Sequence, residues 1–409
     1  MRGRSLLRRL YRFTWRYKMT PAGKLMTGVI AMASVGTVTV DAPVYLVCCV
    51  MLGLLLAAEL CGVMVKPSLS VAAEWPATMT AGETSRVPVR LTNRSSWRPA
   101  YDLMLLVPER PGSLHHVNAA EFLPRLGPQQ SAGVDVELQP QTRGRLRIEG
   151  LDVHSTFPFN LIRIPGGRTG PQTVTVLPSY TPLIRLDLPV DEAAAAGQFV
   201  LSGNAGESTE YLGNRDYTPG EPVRRLDFRA WARLGRPVVR EYQDEHASRV
   251  AVLVDTLTTP PVKDSAARTE AAISLAAAVI DAALYDDFQI GVFATATDVL
   301  TLPDTSREQR LDDLLLRLAT TVPTRQPVYD AMTPTLLTEL EAVSAAVLIL
   351  TDVDGPRRQL VDALAAEGPP LKVIVVGGDD PPADPEGLPG DEVIFVPACD
   401  VTSGRVVAV

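Results

Sequence analysis

The chain is poor in the groups that carry most enzyme chemistry. Among 409 residues there are four histidines (His115, His116, His154, His246) and four cysteines, and neither set has metal-ligand spacing. Cys48, Cys49 and Cys61 fall inside one apolar run and Cys399 stands alone, so no disulfide framework exists and a reducing compartment is the simpler setting. There is no phosphate-binding P-loop, no G-x-S-x-G, no H-E-x-x-H and no G-x-G-x-x-G with strand and helix flanks. Aromatics are scarce at 6%, whereas the 34 prolines suit loop-rich β structure beside Ala-rich helices. With 46% apolar and 21% charged residues the chain is neither a disordered tail nor a coiled coil, and its length calls for two or three domains.

Acid is missing from residues 1–24, which hold eight Arg or Lys: Arg2, Arg4, Arg8, Arg9, Arg12, Arg16, Lys18 and Lys24. Subtracting these from the total of 39 leaves 31 positive against 47 negative charges, or −16, on the remainder. An acidic body argues against nucleic acid as its ligand.

Polar interruptions are nearly absent from Val44 to Val65, 22 residues whose only charge is Glu59. That is enough to span a bilayer as a helix. The stretch Leu25–Val40 is shorter and richer in Gly, Ser and Thr, but Lys24 can snorkel and extend it. With Asp41 and Pro43 as the turn, residues 25–65 read as a transmembrane helical hairpin behind a basic cytoplasmic head at 1–24. The long basic region and the stronger second span argue against a signal peptide. Two crossings return the chain to the side of its positive head, so the expected location is the plasma membrane, two-pass, with the body cytoplasmic from about Lys66. Glu59 is either a functional acid in the span or a protonated or interface-facing residue, and no partner for it is visible in the sequence.

From 67 to 183 the periodicity changes to two. Val87, Val89 and Leu91 alternate with Pro88 and Arg90, and Val134, Val136 and Leu138 with Asp135 and Glu137. Leu146, Ile148, Leu151 and Val153 continue the pattern with a slip at Gly150, read as a bulge. Short alternating strands with turn signals between them predict a β-sandwich. Nothing in it looks catalytic, and His115-His116 are expected in an exposed loop.

Residues 184–248 form a linker and an arginine-rich segment. Lysine is absent from GNRDYTPGEPVRRLDFRAWARLGRPVVREYQDE, Gly213–Glu245. After the Pro219-Gly220 turn, Val223, Leu226, Ala230 and Leu234 recur at helical spacing, with Arg225, Arg229 and Arg233 four apart on another stripe beside Arg224. Like charges at that spacing repel, so the stripe needs anions. Two readings stay open: an ion-pair network with Asp216, Glu221, Asp227, Glu241, Asp244 and Glu245 that fixes two domains together, or a docking face for an acidic protein surface or a phosphate.

The last segment, 249–409, alternates strands and helices. Arg249–Asp255, Phe288–Ala294, Ala345–Thr351 and Leu371–Val376 are apolar strands. Helices are expected at Ser265–Tyr285 (N-cap Asp264) and at about 306–319 and 327–343. This predicts a doubly wound α/β sheet with Asp255 and Thr351-Asp352 at carboxyl ends of strands, where such sheets bind ligands. The acidic loop from Gly377 to Glu392 has no EF-hand order.

The run RDYTPGEPVRRLDFRAWARLGRPVVREYQDE resembles the signature of the domain-of-unknown-function-58 family, through Arg215, Tyr217, Gly220, Arg224, Leu226, Asp227, Ala232, Arg233, Val239, Arg240 and Glu241. Asp216, Glu221 and Phe228 replace its Glu, Asp and Trp. The stretches TRGRLRIEGLDVHSTFPFNLIR, TVLPSY and MTPAGKLM are similar to further family segments. The resemblance implies a membrane hairpin, a β-sandwich and a von Willebrand factor A-like α/β domain, and partnership with a MoxR-type AAA+ ATPase in a chaperone or assembly role; it establishes no enzymatic activity. A von Willebrand-type Mg²⁺ site would need Asp255, residue 257, Thr259, a second-loop Thr and a third-loop carboxylate such as Asp352. Leu257 cannot ligate and the second-loop Thr cannot be placed. The sequence therefore leads to a membrane-anchored, non-enzymatic adaptor. A metal-dependent adhesion module and a hydrolase with an unrecognised site are the alternatives.

Overall fold

The computed structural model describes residues 18–36, 42–107, 113–117, 122–189, 210–218, 226–243, 249–258, 265–295, 298–302, 306–325, 329–341, 343–378, 388–390 and 392–409. The chain divides into two compact units, Met1–Ser179 with Leu315–Thr320, and Tyr180–Leu314 with Thr321–Val409.

The described part of the first unit begins with two helices, α1 (Pro21–Gly36) and α2 (Ala42–Met64). Met26 and Ile30 of α1 cluster with Met51, Leu55 and Ala58 of α2 and with Leu161 and Ile162 further along the chain. Among the described residues, α2 is the one helix long and apolar enough to cross a membrane, over Tyr45–Met64. Helix α1 has 16 residues, about 24 Å of rise, against a hydrocarbon core of about 30 Å.

Among the described residues eleven strands follow, in three sheets around one core. Strands β1 (Leu69–Ala73), β3 (Ser85–Asn93), β7 (Ser131–Pro140) and β5 (Leu114–His116) form one sheet in the order β1-β3-β7-β5. Strands β10 (Ile164–Arg168), β9 (Asp152–Ser155), β4 (Ala100–Leu106) and β6 (Phe122–Leu126) form the second. Strands β2 (Thr78–Thr80), β11 (Gln172–Leu177) and β8 (Gly144–Ile148) form the third. The predicted alternation holds in β3, where Val87, Val89 and Leu91 are buried and Pro88 and Arg90 exposed. Gly150 is not a bulge. It lies between β8 and β9, which belong to different sheets, and its φ of +118° with the Thr169 carbonyl 2.5 Å from any added Cβ admits only glycine. His115 and His116 lie on edge strand β5 rather than in a loop.

In the second unit, a hairpin pairs β12 (Glu210–Asp216) with β13 (Val238–Gln243), and helix α3 (Phe228–Leu234) lies between them in sequence. A six-stranded sheet has the order β16-β15-β14-β17-β18-β19, built from β14 (Arg249–Val254), β15 (Gln289–Thr295), β16 (Asp298–Thr301), β17 (Ala345–Leu350), β18 (Leu371–Gly377) and β19 (Glu392–Pro397). All neighbours are parallel except β15 and β16. Strands β17 and β18 are buried at every position, as central parallel strands covered on both faces must be. Helix α4 (Ser265–Tyr285) packs on β14, β15, β17 and β18. Leu336 and Leu340 of α6 (Tyr329–Leu340) and Leu360 and Leu364 of α7 (Gly355–Glu367) share a core with Ala251, Leu253, Leu348 and Val373. The remaining helices among the described residues are α5 (Arg307–Thr320) and α8 (Ala398–Thr402).

The segment read as a linker starts inside this unit: Ile184 N–H donates to the Val407 carbonyl and Asp187 N–H to that of Val409. Lys372 on β18, fully buried, donates to the Asp187 carbonyl (2.6 Å) and to Glu392 Oε2 (2.7 Å), tying this segment and β19 to the sheet.

Candidate functional site

In chain order the six strands of the sheet lie 3-2-1-4-5-6, so the order reverses between β14 and β17, the crevice where sheets of this kind hold ligands. Asp255 follows the last residue of β14 and Thr351 the last of β17. The two meet: Asp255 Oδ2 accepts from Thr351 N–H (3.0 Å) and from its hydroxyl (2.5 Å). Asp255 Oδ1 accepts from Leu257 N–H (2.8 Å) and from the Tyr329 hydroxyl.

A cation completes the cluster. Arg357, in the first turn of α7 and 1% exposed, places Nε 2.6 Å from Asp255 Oδ2. Its Nη1 donates to Asp354 Oδ2 (2.7 Å), and its Nη2 to the Leu257 carbonyl (2.6 Å) and the Thr351 hydroxyl oxygen (3.0 Å). A cation near a helix N-terminus opposes the helix dipole, but two carboxylates offset this. Burial alone would lower the Arg357 pKa; the Asp255 charge and hydrogen bond overcome it and hold the pKa above its ordinary value. Burial and the same carboxylate push the Tyr329 hydroxyl up, so it stays a donor. With both carboxylate oxygens filled by fixed donors, Asp255 has no lone pair free for a substrate proton. The crevice is sealed by its own guanidinium.

Of the residues considered for Mg²⁺, Asp255 sits in this ion pair, Asp352 is half-buried with Oδ1 accepting from Val353 N–H (2.8 Å), and Thr259 lies outside the described residues. Among the described residues no group of three His, Cys, Asp or Glu side chains could hold a metal.

In the arginine-rich segment the helix is shorter than its apolar spacing predicts: Phe228–Leu234 instead of a start near Val223. Asp227 sets the start. As N-cap it accepts from Arg229 N–H and Ala230 N–H at 3.0 Å each, and Gly235 closes the other end at φ 71°. Leu226 instead bridges to Val239, and of the four periodic residues Ala230 is buried while Leu234 is 48% exposed. Gly220, Glu221, Arg224 and Arg225 lie outside the described residues. Asp216 pairs with Arg236 (2.8 Å), an exposed pair of little energetic weight. Arg215 Nη1 donates to the Asp216 carbonyl (3.4 Å), and Tyr217 N–H to that of Pro237 (3.0 Å). Arg240 and Glu241 lie opposite Asn214 and Gly213 in the β12–β13 register.

The open face of α3 is both aromatic and cationic. Phe228 is 61% exposed and stacks on Trp231 (centroids 6.1 Å), while Arg229 and Arg233 are exposed on the opposite flank.

In the first unit Glu59 has a partner: Lys18, just ahead of α1, forms an ion pair with it. The separation of 41 residues hid it from sequence reading. Arg357 was likewise missed. Its signal is Asp354-Gly-Pro-Arg, an N-cap and early proline that fix Arg357 in the first helical turn beside the strand ends.

A doubly wound unit with an ion-paired crevice and an exposed Arg-aromatic helix is therefore joined in one chain to a β-rich unit with an apolar N-terminal helix. Residues 213–393 match the family described as "Protein of unknown function DUF58". No curated protein matches the chain. Among solved structures, native α-2-macroglobulin from Escherichia coli (domain MG7 to the C-terminus) is similar at 16% identity over 29% of this chain, with a TM-score of 0.23. The chain spans 18% of that protein's length. The CARDB domain of a Pyrococcus furiosus protein is similar at 12% identity over 27% of this chain and 90% of its own, with a TM-score of 0.20. The secreted serine protease VesC from Vibrio cholerae is similar at 13% identity over 33% and 28% of the two chains, with a TM-score of 0.19. Likenesses this weak carry no argument about function.

Proposed function

We propose that the protein is a membrane-anchored, non-enzymatic adaptor that crosses the plasma membrane twice, through α2 and through the shorter α1 extended by a snorkelling Lys24, and docks protein partners with its cytoplasmic body. The exposed Phe228–Trp231 stack flanked by Arg229 and Arg233 carries this reading. Trp and Arg dominate the energetics of protein interfaces, and aromatic residues left open on a soluble surface mark contact sites. The paired arginines select an acidic protein surface. The sealed Asp255 crevice supports an adaptor over a hydrolase or a metal-dependent adhesion module, because its carboxylate is already neutralised from within. The family resemblance supplies the partner, a MoxR-type AAA+ ATPase or its client, and a von Willebrand factor A-like character for the α/β unit.

The test is ATP-dependent co-purification of the full chain, in detergent, with a MoxR-type ATPase. Arg229→Glu/Arg233→Glu and Trp231→Ala should each reduce the captured ATPase at least several-fold while thermal unfolding stays unchanged. Undiminished capture by both variants would overturn the reading.

A further inference from the structure

We propose that the β-rich unit is itself a membrane-surface module: loops 93–98 and 156–163 form a collar around the foot of the helices that lies in the headgroup layer and binds anionic lipid phosphates. This rests on the membrane-anchor part of the function above and not on the adaptor part.

The last turns of α2 have two different sides. On one, Ala58 is 3% exposed among Leu161, Ile162 and Met26, and a Cβ on Gly62 would fall 2.6 Å from Ile164 Cδ1. On the other, Leu60, Val63 and Met64 stay at least 63% exposed to the end of the helix. An apolar strip that runs to the point where the helix meets folded protein needs hydrocarbon down to that point.

The collar begins there. Arg98 Nη1 donates to the Met64 carbonyl (2.6 Å), and Arg94 N–H donates to the Ser68 carbonyl (2.8 Å), so loop 93–98 is fastened to the helix exit. Trp97, 69% exposed, projects from it with the Arg98 guanidinium 4.0 Å from its ring centroid. Loop 156–163 is fastened to the start of α1: Thr20 N–H donates to the Leu161 carbonyl (3.2 Å) and its hydroxyl to that of Asn160 (2.6 Å). Phe159 is exposed beside them.

The charge is one-sided. Stretches 60–70, 93–98 and 156–163 contain Lys66, Arg94, Arg98 and Arg163 and no acid, and Glu59 just ahead of them is matched by Lys18, in a chain of net charge −8. Trp settles at headgroup level, and Arg matches phosphate oxygens through its fork of N–H groups. Continuity of the bare helix strip with the collar selects a bilayer over a protein as the occupant.

The test uses the full chain reconstituted in vesicles, with the four native cysteines replaced by alanine. Nitroxide labels are placed at Leu52→Cys in α2, Ser96→Cys in the collar, and Glu83→Cys beyond the opposite end of β3. Accessibility to oxygen and to an aqueous nickel chelate reads depth. Label 52 should be deep in hydrocarbon and label 83 aqueous. Label 96 should show several-fold lower chelate accessibility than label 83, falling further when phosphatidylglycerol is present. Arg94→Gln/Arg98→Gln should remove the phosphatidylglycerol effect. A deep label 52 with label 96 as accessible as label 83 overturns the collar and spares the anchor. An aqueous label 52 overturns both. A shallow label 96 insensitive to phosphatidylglycerol overturns the anionic-lipid assignment.

Discussion

If Arg357 is the resident cation of the switch-point crevice, removing it must cost far more than an ordinary surface arginine. Both side chains of the Asp255–Arg357 pair are 1% exposed and 2.6 Å apart. At an effective dielectric of about 20 the gross attraction is roughly 6 kcal/mol, and desolvation of both ions cancels several kcal/mol of it. What a single substitution measures is a charge left buried alone, about 3–5 kcal/mol. Arg357→Met strands Asp255; Asp255→Leu takes the carboxylate from Arg357 Nε and leaves the guanidinium to the partly exposed Asp354. For a unit of this size each should lower the melting temperature by about 6–20 °C. The double variant Asp255→Leu/Arg357→Met strands neither ion of the pair and should lose less than the sum of the singles, with a coupling toward the upper end of about 0.5–3 kcal/mol. Urea unfolding of the full chain followed by tryptophan fluorescence reads all four corners of the cycle. Singles costing under about 1 kcal/mol, or strict additivity in the double variant, would refute an internally neutralised crevice.

Three further outcomes follow from other features. Burial, with the Arg163 charge and against that of Asp152, lowers the His154 pKa below 6.5. Above that value both folded and unfolded states are neutral; below it the unfolded chain binds a proton that the fold refuses. The first unit should therefore lose stability as pH falls from about 7 to about 5, and His154→Phe should flatten that slope in urea titrations. Asp227→Ala removes the α3 cap, costing about 1 kcal/mol, and should weaken ATPase capture without touching Arg229 or Arg233; full capture would show that α3 need not be ordered. Lys372→Met should accelerate amide hydrogen exchange in β19 and residues 184–187 while β14 stays protected, and uniform protection would show that Lys372 does not tie them down.

Local regularities carried most of the fold. The period-two runs of β3 and β7 and the unbroken apolar runs of β14, β17 and β18 announce burial on one face or on two. The 21-residue helix α4 matches its predicted span. Failures came where a residue's role depends on something distant. Gly150 reads as a slip in one strand because sheet membership is not written locally, and only the Thr169 carbonyl explains it. The spacing of Val223, Leu226, Ala230 and Leu234 suggested a helix five residues longer, but Asp227 satisfies the amides of Arg229 and Ala230 and so defines the first turn. At the candidate site Asp255 and Thr351 were legible from their positions at strand ends. Arg357 and Tyr329 were not, since they reach Asp255 across 102 and 74 residues of sequence.

The central strand of the α/β sheet has a consequence for synthesis. Strand β14 pairs in parallel with β15 on one side and with β17 on the other, and both partners are made after it. Parallel pairing requires a long loop to close before any contact forms. A nascent chain that has just emerged with Val250–Val254 thus carries an aggregation-prone ribbon until Ala345–Leu350 leaves the ribosome.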